Sequence, residues 1–199
     1  MNMNYKQAQN ELLTSDSDRC QEFFKQNNNI VELGYFYLLK EDLIKAKLEF
    51  KKIMNEDIRA NWGYFLVELI QQKPSYHPSY FQLRNFFEID MDILINHYKG
   101  GYIQTIVNYS DYLSTINSEI CKYIGRVFYN HQYYDYAEYF FNQAKEKFYK
   151  DPELHFLISE LYLEKKNIKK AIREAEICLE VLPGYFPAEN MLRNLRENN

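Results

Sequence analysis

Helix breakers are scarce in this chain of 199 residues, which holds six glycines and five prolines. A protein built of short strands needs a turn every few residues, so the scarcity points away from sandwiches and barrels and toward helices. The three cysteines, Cys20, Cys121 and Cys178, are far apart and odd in number. That excludes a disulfide-built scaffold and reads as reduced thiols. No stretch approaches the roughly eighteen consecutive apolar residues of a membrane-spanning helix, and the polar opening, residues 1–13, has no apolar core of signal-peptide length. The expectation is a cytoplasmic protein with no membrane contact. Net positive charge is lacking as well: 24 Lys and Arg against 28 Asp and Glu give a formal −4. Generic binding to nucleic acid or anionic lipid therefore has no electrostatic source.

Catalytic signatures are also missing. His77, His97, His131 and His155 are scattered without metal-site spacing, and Gly100-Gly101 stands alone as a turn rather than as part of a phosphate-cradling loop. No nucleophile elbow is present. The chain is expected to have no catalytic residues, no metal and no cofactor. What it has in quantity is aromatic side chains, 17% of residues, with 19 Tyr and 14 Phe but a single Trp62. At 46% hydrophobic and 26% charged it is apolar enough to fold.

Self-similarity supplies the architecture. Residues 118–151 and 152–185 match at an offset of 34. In the first, Gly125 is followed by Ala137, Phe141 and Ala144; in the second the equivalent places hold Ser159, Ala171, Ala175 and Cys178, and Pro183 closes the unit. Each unit reads as two amphipathic helices about a polar turn, Asn130-His131-Gln132 in one and Lys166-Asn167 in the other. Small residues at 125 and 159 let the first helix lie close to the second at Ala137 and Ala171, with Phe128 and Tyr162 wedged between. Asp151-Pro152 stops one helix and starts the next. Upstream, in 27–60, Gly34, Tyr37, Ala46, Phe50 and Ile53 fall at the same relative spacings. Gly34 and Gly125 are 91 residues apart, not a multiple of 34, so the array is not uniform.

These residues resemble the tetratricopeptide repeat (TPR) family: a small residue in the first helix, Ala and an aromatic in the second, a proline at the end. The resemblance implies an all-α, TPR-like α-α superhelix, a right-handed solenoid of antiparallel helix pairs with an irregular middle. The expected organisation is capping helices in 1–26, a TPR-like repeat in 27–60, degenerate helical repeats in 61–117, repeats in 118–151 and 152–185, and a C-terminal capping helix in 186–199. At the N-terminus Thr14, Ser15 and Asp16 are expected to supply turn and N-cap chemistry between helices at 5–13 and 17–26. In the irregular stretch, helices are expected at 60–72, 79–88, 91–98 and 102–116, with connectors at 73–78 and 99–101.

In stacked helix pairs the first helix of each unit lines the concave face. By phase that face carries Glu119, Lys122, Tyr123, Arg126, Tyr129 and Asn130 from one unit and Glu153, Phe156, Leu157 and Glu160 from the next, extended by Asn190 and Asn194. Some TPR proteins grip a chaperone's terminal carboxylate with basic residues on successive first helices. Here Lys122 and Arg126 match on one helix, but Phe156 and Glu160 stand where the second set belongs, so chaperone-tail binding is not expected. The cluster Tyr133, Tyr134, Tyr136 and Tyr139 reads as a repeat turn and helix start rather than a base-stacking platform, and Lys165, Lys166, Lys169, Lys170 and Arg173 as solvated turn charge. His155, Cys121 and Cys178 read as core. The expected function is a non-catalytic adaptor or scaffold binding a protein or peptide segment. The alternatives are a regulatory RNA-binding repeat and the accessory subunit of an enzyme encoded elsewhere.

Overall fold

The computed structural model describes residues 3–14 and 18–197. Within them the chain forms fourteen α-helices, one π-helical turn and no strand. Ser15, Asp16 and Ser17, assigned above to a turn and a helix start, lie outside the described residues. The chain divides into two compact units, Met1–Tyr112 and Leu113–Asn199.

The first unit holds α1 (Tyr5–Thr14), α2 (Arg19–Gln26), α3 (Ile30–Leu39), α4 (Leu43–Ile53), α5 (Ile58–Ile70), α6 (Tyr80–Gln82), a π turn (Leu83–Phe87), α7 (Glu88–Asn96) and α8 (Gly100–Asn108). The division falls within α9 (Ser110–Ile116). The second unit continues with α10 (Ile120–Asn130), α11 (Tyr134–Lys147), α12 (Pro152–Glu164), α13 (Ile168–Val181) and α14 (Phe186–Glu197).

In the second unit α10 folds back on α11 and α12 on α13, each pair joined by a three-residue turn. The seam is built on volume. Gly125 of α10 faces the ring of Phe141 of α11, so close that a Cβ there would lie 2.5 Å from it. In the next pair the same two places hold Ser159 and Ala175, both fully buried. A large residue on one side is matched by glycine on the other, and a smaller one by serine. Asp151 caps α12 by accepting from the Leu154 N–H at 3.2 Å, with Pro152 in the first turn, where its missing N–H costs nothing. α14 lays Ala188 and Leu192 on Ala175 and Cys178, covering the apolar face of the last pair.

The first unit uses the same seam with different lengths. Phe50 of α4 lies between Gly34 of α3 and Gly63 of α5, both too close to its ring to carry a Cβ. The second small residue follows the first by 29 positions rather than 34. α4 has 11 residues where α11 has 14, which is why the upstream repeat falls out of register. The irregular stretch differs from expectation in three places. No break separates helices at 88 and 91, because the π turn carries the backbone from α6 into α7. Gly100 and Gly101 are not a connector but the first turn of α8. The helix expected over 102–116 is two, split at Tyr109, whose N–H is shared between the carbonyls of Thr105 and Ile106 at 3.2 and 3.1 Å.

Among the described residues six non-glycines adopt left-handed backbone: Asn28, Glu41, Gln72, Tyr98, Gln132 and Lys166. Each ends a helix in a Schellman turn, in which the following N–H reaches back five residues, as from Tyr133 to Phe128 O at 2.9 Å and from Asn167 to Tyr162 O at 2.8 Å. Glycine, the usual occupant, is at none of them, so the polar turns at 130–132 and 166–167 are legible in the sequence but their left-handed backbone is not.

A polar group sits deep in the first unit. Asp90 of α7, 2% exposed, accepts from the Trp62 indole at 2.5 Å and the Tyr35 hydroxyl at 3.0 Å, and pairs with Arg59. The guanidinium lies between the Tyr35 and Phe86 rings, 4.5 and 4.7 Å from their centroids. Three helices are joined there by one buried carboxylate.

Candidate functional site

The surface singled out by helical phase lies in the second unit, on α10, α12 and the approach to α14. Its residues divide into those already engaged within the fold and those left open.

Lys122 and Tyr123 are not open. They are 6% and 7% exposed, and the expectation that they meet a ligand is corrected here. Lys122 Nζ reaches Asp151 at 2.7 Å and Glu153 at 3.1 Å, with Glu119 at 3.9 Å. Burial works against its charge, but hydrogen bonds and attraction from Asp151 and Glu153 outweigh it and raise its pKa. Tyr123 donates to Glu119 at 2.6 Å. Arg126, half-buried, contacts Glu153 at 3.1 Å. Both cations that resembled half of a carboxylate clamp are thus held by acids of the following turn and helix. Helical phase carries no information about those acids, which come from the following turn and helix.

Tyr129, Leu157 and Glu160 are half-buried on the same side, and Asn130 is exposed at the end of α10. Phe156 stands against Tyr185, ring centroids 5.6 Å apart, and both pack on the core under α14. Burial first, then the charges of Glu160 and Glu164, push the Tyr129 phenol up to about 12. Burial, then Glu164, raises the Glu160 carboxyl above the ordinary carboxylate range. Tyr134, Glu164 and Tyr185 belong to this surface without having been picked out for it. Tyr134 donates to Glu164 at 3.4 Å across the two pairs. Of the proposed extension, Asn190 accepts from Arg193 at 2.8 Å and Asn194 is exposed.

The other candidates resolve as packing or internal pairing. His155 is fully buried, Nδ1 at 2.7 Å from Glu174 and Nε2 at 2.7 Å from the Tyr149 carbonyl. Cys121 and Cys178 are buried, and burial followed by Asp151 raises the Cys178 thiol to about 11, far from a reactive thiolate. Lys165 closes on Asp135 at 2.7 Å and on Glu138. Lys170 lies over the Tyr162 ring at 4.8 Å and Arg173 meets Glu180 at 3.8 Å, so much of the basic cluster is neutralised locally. Tyr133, Tyr136 and Tyr139 are exposed, and Phe128 is stacked between Tyr136 and Phe140. Among the described residues no group of His, Cys, Asp or Glu is arranged to hold a metal ion, and no helix is long and apolar enough to cross a membrane.

No family model matches the chain, and no curated protein does. Among solved structures the chain is similar to TTC0263, a thermophilic TPR protein of Thermus thermophilus, with 15% identity over 96% of this chain and 92% of that one and a TM-score of 0.41. At that level no residue correspondence follows, and the architecture rests on the chain's own helix pairs. The fold is all-α, with consecutive helices packed in pairs.

Proposed function

We propose that the protein is a non-catalytic adaptor or scaffold of the cytoplasm that binds a peptide or protein segment on the α10–α12 face of its second unit. The observation that carries this reading is the set Tyr129, Leu157 and Glu160, half-buried side chains on the first helices of two successive pairs. A tyrosine and a leucine beside a carboxylate, partly shielded from water, have the composition of an interface centre. Phe156 supports the surface from below through Tyr185 rather than standing free on it.

The test is a pull-down from native lysate with the wild-type chain and the double variant Tyr129→Ala/Leu157→Ala, each checked by circular dichroism and melting. Loss of a specific partner with retained fold supports the face. Equal recovery of every partner by both proteins removes it. Central anchors of this kind cost about 2 kcal/mol or more each when truncated.

A further inference from the structure

Carboxylates in the second unit follow a consistent rule. Glu119, Glu138, Asp151, Glu153, Glu174 and Glu176, all wholly or partly shielded from water, each lie 3.9 Å or less from a cationic or imidazole nitrogen. Glu160 departs from it: half-buried on α12, it has no hydrogen bond or ion pair to any described residue. The two cations of α10 are engaged elsewhere. Lys122 reaches Asp151, the N-cap of α12, and both Lys122 and Arg126 reach Glu153, two turns before Glu160. Glu164, one turn further on, adds a like charge.

Aromatic side chains share the face with this carboxylate, which is half-buried one turn beyond Phe156 on α12. Tyr129 approaches from α10 and Tyr185 from the segment before α14, and the charge of Glu160 is felt by both phenols. Phe156, one turn before Glu160, is packed at a tilt against Tyr185, with centroids 5.6 Å apart. A carboxylate on a face that also carries tyrosines suits a cation, which it attracts by charge. An unpaired, partly shielded carboxylate is also costly to leave so, and a cation arriving there relieves that cost.

Accepting the binding face proposed above, we propose that its occupant presents a lysine or arginine side chain to Glu160. The partner is then a basic peptide segment, opposite in charge to the acidic tails gripped by carboxylate clamps. The clamp-like cations of this chain are taken up by its own acids, which leaves the open charge of the face negative.

A random heptapeptide phage library panned on the full-length chain tests this. Selected peptides are made with and without norleucine in place of each Lys or Arg, and titrated by fluorescence anisotropy against the wild type, Glu160→Gln and Leu157→Ala. The expected result is enrichment of basic residues, with one cation whose replacement weakens binding about tenfold. Glu160→Gln should weaken the parent peptide equally and the norleucine peptide no further. The peptide-side substitution reads the same contact on wild-type protein, whatever the stability of the variant. Peptides lost on Leu157→Ala but lacking basic enrichment, or indifferent to Glu160→Gln, would overturn the cation inference while keeping the face. Peptides indifferent to Leu157→Ala, or no selected peptides at all, would overturn the face and the inference with it.

Discussion

The ring of Phe141 stands where a side chain at Gly125 would begin, and a Cβ placed there meets Cδ1 at 2.5 Å. One repeat later the same two positions are Ser159 and Ala175, each fully buried. The two pairs reach similar packing by exchanging volume across the seam. Gly125→Ser alone should destabilise by about 1–3 kcal/mol through overpacking, and Phe141→Ala alone by about 3–5 kcal/mol through the cavity it leaves. Combined, they should cost less than the sum, since each relieves the other. Chemical denaturation of the four proteins measures the coupling, and strict additivity would show that the seam is not shared.

The left-handed turn residues invite stabilisation. Tyr98, at φ +54°, is 89% exposed, so removing its ring sacrifices almost no packing. Lys166, at φ +57°, occupies the equivalent turn place between α12 and α13. Glycine enters this conformation without the Cβ clash, at some cost in unfolded-chain entropy. Tyr98→Gly and Lys166→Gly should each raise stability by about 0.5–1 kcal/mol, a gain of about 1–4 °C in Tm for a chain of this size. A lowered Tm in both would mean that these turns are not the strained element.

Lys122 ties α10 to the capping residue of α12. Its side chain is 8% exposed and its ammonium is shared between Asp151 and Glu153, which are 20% and 45% exposed. Lys122→Met leaves Asp151 without its cation and Glu153 with Arg126 alone, and should cost about 2–3 kcal/mol, below the fully buried case because Glu153 remains partly in water. Adding Glu153→Gln should restore part of the loss. Urea melts of the single and double variants check this, and a double variant no better than the single would argue that the loss is packing alone.

Glu174 gives the fold a specific acid sensitivity. Burial opposes its charge, but hydrogen bonds from His155 and Lys145 outweigh burial and hold its carboxyl below the ordinary range. A carboxyl depressed in the folded state adds stability above its unfolded value, about 4.3, and loses it as pH falls through the folded value. Glu174→Gln should therefore cost about 1–3 kcal/mol near pH 7, with the gap to wild type narrowing below about pH 4. Denaturation midpoints at a series of pH values decide it; a gap constant with pH would remove the charge from the explanation.

The sequence by itself determined the class of the fold and the seam of its best repeats. Helical period, breakers and small residues at a 34-residue offset are local information, and α10 to α13 follow from them with Gly125, Ala137, Ser159 and Ala171 buried as their spacing required. Only the tertiary structure decided what each face residue has beneath it. Lys122 and Arg126 share a phase with Tyr129, yet two are paired with acids from the next repeat and one is not, because pairing depends on how far apart and how rotated the two helices lie. The same holds for Glu160, whose isolation is a fact about its neighbours rather than about α12. The left-handed backbone at Tyr98 and Lys166 and the π passage at Leu83–Phe87 escaped the sequence for a related reason: packed helices on either side impose a backbone that the residues there would not choose alone.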